Sequence, residues 1–316
     1  MDIQNNQKAL LTIREVKKAV IGKDDCIIKV MTAILAGGHI LLEDIPGVGK
    51  TTMAMAFCRA MDLQQKRVQF TPDVLPADIT GFSMYQKEKG TFVYQPGAAM
   101  CNLLLADEIN RTSPKTQSAL LEGMEAGRVS VDGISRSVPE PFIVIATENP
   151  FGSAGTQMLP ESQVDRFMIC ISMGYPDIQS EIEIVKGNVS RNPLAEVQRV
   201  MNGGELLEMR KIVEKIFVHD ALYQYIGRLV QTTRNHEMIE LGLSPRGTIS
   251  IARMAKARAF LMGRTYVVPE DIADIFLDVS SHRIRLNAKA RVSHISAKTV
   301  LGQILAQTVR PTLRRK

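Results

Sequence analysis

One short stretch of the chain has the residue types that hold the phosphates of a nucleotide. Residues 39–42 are largely apolar, as in a buried strand, and residues 43–51 contain two glycines, a lysine and a threonine before a Met- and Ala-rich helical segment. Glycines let backbone N–H groups turn toward phosphate oxygens, Lys50 can reach the β and γ phosphates, and the Thr51 hydroxyl can bind Mg²⁺. Asp44 replaces the first glycine of the general G-x-x-x-x-G-K-S/T pattern. The spacing predicts a phosphate-binding loop that a strict motif search would miss.

A second apolar run ends in two carboxylates. Residues 103–106 are apolar, and Asp107 and Glu108 follow them directly. Ligands of open α/β sheets bind at the carboxyl ends of the strands, so this run predicts a strand that delivers acids to a binding edge. Asp107 is then expected to complete the Mg²⁺ site, and Glu108 to accept the proton of the water that attacks the γ-phosphate. Two acids that merely end a strand are the alternative, which the upstream phosphate loop makes less favoured.

Three further polar residues are candidates for the same chemistry. The apolar run 142–147 leads to Asn149, whose uncharged amide could orient the attacking water, although an Asn before Pro is by itself more typical of a turn. Arg166 follows a short predicted helix and lies too far along the chain to reach the same phosphates easily, so we expect it to serve a neighbouring subunit. Arg246 lies in the first turn of a helix that Ser244 caps. Each arginine alone would be more typical of a surface ion pair.

The elements that must position these residues predict two domains. Residues 5–36 have helical spacing with a break at 21–23, and strand-like runs stop near residue 177. Helical segments then follow at 205–217, 220–235, 244–262 and 269–278. We expect an α/β nucleotide-binding domain over residues 1–177, with a parallel sheet flanked by helices. A small all-helical lid over residues 178–316 should enclose the nucleotide in the cleft between the domains, so that hydrolysis moves one against the other.

Two insertions interrupt the α/β pattern. Residues 78–96 alternate loosely around a polar turn, and residues 129–138 alternate around Asp132 and Gly133, a strong signal for a β-hairpin. Hairpins at such positions are often passive. Only the family that the chain resembles, named below, makes them candidate contacts for a substrate or partner.

Charge and composition limit the classes of function. The net charge of +6 resides in the C-terminal segment, where nine Lys and Arg residues and no carboxylate follow Asp278. Such a segment could meet nucleic acid, an acidic partner or a neighbouring subunit, or could simply be solvated. The absence of Trp and the 5% aromatic content argue against a stacking platform for nucleic acid. No apolar run is long enough to cross a bilayer and no secretory signal is present at the start, so we expect a cytoplasmic protein.

In this order the segments resemble the AAA+ ATPases, and within them the MoxR family, over nearly the whole chain. The segments that carry the resemblance are 21–23, 43–51, 107–111, 114–122, 146–150, 159–167, 244–246 and 263–264. The resemblance implies that Asn149 is the sensor 1 residue, that Arg166 is an arginine finger acting across a subunit boundary, and that Arg246 is the sensor 2 residue reaching back from the lid. The family pattern leads us to expect Gln at the position of Glu148.

The resemblance implies an ATP- and Mg²⁺-dependent hydrolase that forms a ring, expected to be hexameric. The expected nucleotide contacts are Ile21, Gly22, Pro46, Gly47, Val48, Gly49, Lys50, Thr51, Thr52 and Asp107. Thr51 and Asp107 are the expected Mg²⁺ ligands, and Lys50, Glu108, Asn149, Arg166 and Arg246 the expected catalytic residues. Relatives in the family are chaperone-like ATPases that remodel partners containing von Willebrand factor A domains. A nucleic-acid motor or loader, and a scaffold that binds ATP but hardly hydrolyses it, are the competing hypotheses.

Overall fold

A parallel sheet forms the centre of the first part of the chain. The computed structural model describes residues 3–43, 47–88, 90–148, 159–190 and 192–312. In these residues the strands, in chain order, are β1 (Ile40–Glu43), β2 (Gln65–Gln69), β3 (Gly81–Gln86), β4 (Thr91–Pro96), β5 (Leu103–Asp107), β6 (Arg128–Val131), β7 (Ile134–Ser137), β8 (Ile143–Glu148), β9 (Ile169–Ile171), β10 (Ile239–Leu241) and β11 (Arg285–Leu286). Five of them form the central sheet in the order β2-β5-β8-β1-β9, and all neighbouring strands are parallel.

Helices cover both faces of this sheet and build the second part of the chain. They are α1 (Ile3–Ala19), α2 (Asp24–Leu35), α3 (Lys50–Ala60), α4 (Pro76–Thr80), α5 (Pro114–Ala126), α6 (Glu161–Val164), α7 (Ile178–Ser190), α8 (Gly203–Glu214), α9 (Asp220–Asn235), α10 (Pro245–Leu261), α11 (Pro269–Ser280), α12 (Ala288–Val292) and α13 (Ala297–Gln307). The predicted break at 21–23 is confirmed, because α1 ends at Ala19 and α2 begins at Asp24. The fold is the predicted one, an α/β domain followed by a mainly helical lid.

The register of the sheet aligns the ends of its middle strands. Glu43 of β1 pairs with Glu148 of β8, and Gln69 of β2 pairs with Asp107 of β5. We call this side, where the strands end, the carboxyl edge, and the side where the strands begin the amino edge. The middle strands β1, β5 and β8 are buried along their length except at Glu43. Continuous apolar runs of this kind are what a sheet covered on both faces requires.

One apolar core runs from the sheet into the lid. Alternate strand residues point to opposite faces, so Ile40 and Leu42 join a cluster that includes residues of α1, α2, α3 and the lid helices. Leu41 joins a separate cluster with α5 and Ile79 on the other face. The sheet and the lid therefore share one apolar cluster, and the second cluster lies on the opposite face of the sheet. The division between residues 177 and 178 stays a prediction, although β9 ends at Ile171 and α7 begins at Ile178.

Both predicted hairpins are present. β3 pairs with β4, and β6 pairs with β7, each in antiparallel register. Asp132 and Gly133 both have positive φ, 53° and 72°, as a two-residue turn matched to the strand twist demands.

The lid departs from the prediction in one way: it is not entirely helical, because β10 and β11 form a short antiparallel pair. The basic C-terminal segment, whose role the sequence left open, packs against the lid through Val300, Leu301 and Ile304 of α13, which are buried. Its basic side chains include Arg285, which pairs with Glu161 and Glu240, and Lys289, which pairs with Glu237. Within the described ranges, none of the helices is sufficiently long and apolar to span a membrane.

Candidate active site

The phosphate loop leaves the carboxyl edge at the end of β1. Residues 44–46, including the predicted contact Pro46, lie outside the described residues. Beyond them, Gly47 and Gly49 have φ of 87° and 94°, a region that side chains with a Cβ rarely adopt. A Cβ at Gly47 would meet nothing within 4 Å, and one at Gly49 only Met173 Cε at 3.9 Å, so the space above this backbone is open. A backbone turned outward at the start of α3 fits a bound phosphate.

Lys50 and Thr51 form the first turn of α3, directly after these glycines. The helix is held in place because Met53 and Phe57 are fully buried under it. Its N-terminus therefore points from a fixed position toward the open loop, and its partial positive charge favours an anion there.

Asp107 and Glu108 lie at the carboxyl edge two strands away, with β8 between. Asp107 is buried, and its carboxylate accepts a 2.7 Å bond from Arg67 Nε and a weak 3.4 Å bond from Thr147 Oγ1. The same Thr147 hydroxyl accepts a 2.8 Å bond from the backbone N–H of Glu108. Glu108 adopts the left-handed conformation, φ 55°, and its carboxylate pairs with Arg111 at 2.6 Å. Strained backbone of this kind is concentrated at functional sites.

Glu148 ends β8 between the phosphate loop and the acidic pair. It is buried, and burial together with the neighbouring Glu43 carboxylate raises its pKa to about 7. Glu148 is therefore partly protonated near neutral pH, which reduces the negative charge at this edge. Asn149, the predicted sensor 1 residue, lies outside the described residues.

A cavity of about 330 Å³ adjoins the phosphate loop. It is lined by Ala19, Val20, Ile21, Lys23, Gly47, Val48, Gly49, Thr52, Pro176, Ile184, Asn192, Pro193 and Leu194. Its largely apolar wall beside the loop suits a nucleobase. The cleft thus lies between the α/β domain and the 176–194 connection, and the helices α8 to α13 are not among the residues that line it. Gly22 does not line it either, but packs against Ser180.

Arg166 and Arg246 lie together at the amino edge. Both bind the carboxylate of Glu125 near the end of α5: Arg166 Nη1 lies 2.6 Å from Glu125 Oε2, and Arg246 Nη2 donates to Oε1. These three residues line a small cavity with Gly37 and His39, which directly precede β1. Burial, with lesser contributions from two arginines, lowers the pKa of His39 to about 4.

The neutral His39 ring fixes this edge. Its Nδ1 accepts from the Val144 backbone N–H, and its Nε2 lies 3.1 Å from the Met124 carbonyl. β1 is four residues long, so roughly 13 Å of strand separates this edge from the phosphate loop. The contacts of Arg246 thus do not place it where a residue reaching back to its own phosphate loop would lie.

Sequence reasoning missed several members of the site. Arg67 and Arg111, which hold the two acids, were not singled out, and neither was Glu125. Arg67 lies in β2, a polar edge strand with no clear alternation, while Glu125 resembles an ordinary solvated charge on a helix. The pattern that could have found Arg111 was its position three residues after Glu108.

The fold and this edge define a class. A phosphate loop, an acidic pair on a neighbouring buried strand, a five-stranded parallel sheet and a helical lid are the parts of an AAA+ ATPase. Residues 39–169 match the model of the ATPase family associated with various cellular activities, and residues 231–304 match the AAA lid domain.

Relatives place the chain more narrowly. It is 39% identical to chaperone MoxR1 of Mycobacterium tuberculosis, over 94% of this chain and 80% of that protein. It is 41% identical to the uncharacterized protein YeaC of Bacillus subtilis, over 96% and 94%. A crystal structure of a Cytophaga hutchinsonii protein assigned as an ATPase superposes with a TM-score of 0.91 at 38% identity, covering 98% of this chain and 96% of that one. The chain belongs to the MoxR family of AAA+ ATPases; it binds nucleotide and hydrolyses ATP.

Proposed function

We propose that this ATPase works as a head-to-tail ring, a hexamer, in which each ATP lies between two subunits, and that it uses hydrolysis to remodel partner proteins. One observation carries the ring: the loop and acids occupy the carboxyl edge, whereas Arg166 and Arg246 occupy the amino edge. Among the residues that the structure describes, one chain does not bring the two halves together. Repeated head-to-tail contacts, which close into rings, would do so at every interface.

The chain's own residues divide the reaction between them. Lys50 and the loop N–H groups hold the β and γ phosphates, and the Thr51 hydroxyl and Asp107 carboxylate are the groups that would hold Mg²⁺. When bound, Mg²⁺ would supply positive charge that offsets the negative charge of the phosphates. Glu108 accepts the proton of water as its oxygen bonds to the γ phosphorus and the bond to ADP breaks. Asn149 orients that water. Arg111 pairs with one oxygen of the Glu108 carboxylate, Oε2, and so holds the side chain in place.

The arginines act on the neighbour's nucleotide in this arrangement. Arg166 keeps its proposed role as a finger in trans, and we assign Arg246 to the same neighbouring nucleotide rather than to its own. The Glu125 carboxylate already binds both guanidinium groups. Each arginine must therefore leave Glu125, or share it, to reach a phosphoryl oxygen. Two positive groups that arrive together stabilise the charge that spreads over the γ oxygens during transfer.

The hairpins favour a protein as the remodelled partner. The β3–β4 hairpin exposes Phe82, Met84, Tyr85 and Phe92, the last with 72% of its surface accessible. An apolar exposed ribbon of this kind fits a protein surface better than a phosphate backbone. Of the basic groups that favoured nucleic acid, Arg283, Arg285 and Lys289 are engaged by carboxylates of the same chain. A partner with a von Willebrand factor A domain remains the family expectation, and we place the activity in the cytoplasm, where ATP and Mg²⁺ are abundant.

Four variants test the ring site. Glu108→Gln should bind ATP normally and lose turnover by a factor on the order of 10² to 10⁴, because the proton acceptor is removed and the fold is kept. Arg166→Ala and Lys50→Ala should each be inactive alone but regain turnover when mixed, since hybrid interfaces pair an intact loop with intact arginines. Arg246→Ala should behave like Arg166→Ala. Absence of recovery in any mixture of assembled rings would exclude a site shared between subunits.

The partner is tested by capture. Glu108→Gln, held with ATP, should retain a protein from its native cells, whereas the same variant with Phe92→Ser should retain much less of it. Phe92→Ser alone should keep wild-type basal turnover, because Phe92 is exposed on the β3–β4 hairpin and does not line the cavity beside the phosphate loop. Recovery of DNA or RNA with both variants, and ATPase stimulation by nucleic acid that weakens steeply with salt, would favour the nucleic-acid motor instead.

A further inference from the structure

A buried arginine of the lid is bonded to the segment that carries Arg166. Only 2% of the Arg283 side chain is accessible, and its guanidinium donates to Asp165 Oδ1 at 2.8 Å and to the backbone carbonyls of Asp165 and Met168 at 3.2 and 3.1 Å. It also donates to the Phe167 carbonyl. Four bonds from one side chain thus end on residues 165–168, in the other domain.

The same guanidinium is anchored on two lid helices. It donates to the Val279 carbonyl of α11 and, at 3.3 Å, to Ser250 Oγ of α10. Burial lowers the pKa of Arg283 to about 10, an effect that Asp165 opposes and that nearby Arg246 strengthens, so the group remains charged at neutral pH. A buried cation is tolerated only when its donors are met, and here the fork of the guanidinium meets three separate elements.

Asp165 connects the contacts of Arg283 to the helix turn that carries Arg246. Its Oδ2 accepts a 3.0 Å bond from Ser244 Oγ, and the same hydroxyl caps α10 by accepting from the Gly247 N–H at 3.2 Å. Arg246 lies two residues after Ser244, in the first turn of that helix. Asp165 is therefore the immediate neighbour of one trans arginine and the partner of the cap that precedes the other.

We infer that Arg283 is a positioning residue for Arg166 and Arg246, which form the arginine half of the site shared between two subunits. Arg283 holds residues 165–168 and the start of α10 together, so that both arginines meet the neighbour's triphosphate as one rigid unit. This inference rests on the proposed function. Arg283 touches no substrate. It acts only through Asp165 and the backbone around Arg166. Its substitution must therefore impair hydrolysis of the nucleotide bound by the next subunit and not of the nucleotide bound by its own.

The decisive variant is Arg283→Lys, which keeps the charge and loses the fork. An ammonium cannot satisfy Asp165, the 165–168 carbonyls and both helices at once. Misplacement by about 1 Å can cost about 10²-fold in rate, so we expect turnover to fall by about 10- to 100-fold while ATP affinity stays within about twofold of wild type. The matched control is Arg264→Lys, which alters a partly buried pair with Asp271 made wholly inside the lid. It should change turnover by less than about twofold.

Mixed rings locate the defect. Arg283→Lys mixed with Lys50→Ala should recover, because the Lys50→Ala subunit lends intact arginines to the intact loop of the other. With equal amounts and random assembly about one quarter of the interfaces are competent, so turnover should approach that of the Arg166→Ala and Lys50→Ala mixture. Arg283→Lys mixed with Arg166→Ala should not recover, because every interface then lacks a correct arginine half.

The opposite pattern would overturn the inference. Recovery with Arg166→Ala but not with Lys50→Ala would assign Arg283 to its own subunit's nucleotide, and unchanged turnover in Arg283→Lys would remove it from the site. If Arg283→Lys fails to fold, Asp165→Asn weakens the same contacts from the other side and enters the same mixtures with the same expected results. Failure of the Arg166→Ala and Lys50→Ala mixture itself would reject the shared site, whatever Arg283 does.

Discussion

Glu148→Gln should remove much of the pH dependence of stability between pH 4.5 and 7. In the folded chain, burial and the Glu43 carboxylate raise the pKa of Glu148 from 4.5 to about 7. Between these values the native state keeps a proton that the unfolded state has released, so the free energy of unfolding falls as pH rises. Each pKa unit is worth about 1.4 kcal/mol, so the complete loss above pH 7 is about 3 kcal/mol. The isosteric amide carries no charge and escapes that loss.

The assay is urea unfolding of nucleotide-free protein at several pH values. The variant should exceed wild type by less than about 1 kcal/mol at pH 5 and by about 3 kcal/mol at pH 8. Glu43→Gln is the matched control: it removes the neighbouring charge but leaves the burial of Glu148, so it should lower the pKa of Glu148 only part of the way and give an intermediate curve. A constant difference between Glu148→Gln and wild type from pH 5 to pH 8 would refute the reasoning.

Two further predictions concern residues that lie behind the site. Gly22→Ala should destabilise more than Gly263→Ala, by a further 1–3 kcal/mol or so in urea unfolding, and should weaken ATP binding. Both glycines have φ near 70°, but only at Gly22 would a Cβ lie 2.2 Å from Ser180 Oγ, so equal losses would contradict the clash. Arg67→Ala should lower the Mg²⁺ concentration needed for half-maximal turnover by about two- to fivefold, because it removes a half-exposed cation that competes for Asp107. An unchanged Mg²⁺ titration would show that Arg67 does not compete with Mg²⁺ for the Asp107 carboxylate.

The parts of the fold that could be predicted are those in which chemistry and burial coincide in one run of sequence. β5 is such a run, apolar for four residues and then acidic, and the hairpin turn at Asp132 and Gly133 is specified by two residues with positive φ. β2 could not be found this way, because Gln65–Gln69 is a polar strand at the edge of the sheet whose partner is distant in sequence. β9 has three residues, too few to show a period.

The same distinction, between local sequence pattern and distant contacts, applies to the residues of the candidate site. The loop and acids follow strands directly, so their place at the carboxyl edge follows from the strand pattern. The position of Arg246 depends instead on where the lid packs, and its contact with Glu125 joins residues 121 positions apart. No local pattern encodes such a pairing. The prediction that Arg246 reaches back to its own phosphates assumed a lid over the loop, whereas packing of α10 against α2 carries that helix toward the other edge.

The apolar interior that passes without interruption from β1 through α2 into α10 and α11 has a mechanical consequence. Opening a seam between sheet and lid would wet that interior, a large free-energy cost for each catalytic cycle. In the proposed ring, each protomer would therefore move as one body, and the displacement that accompanies each turnover would occur at the junctions between protomers. Mechanical work on a partner would then come from rotation of whole protomers against one another, and the exposed hairpins would move with their protomers.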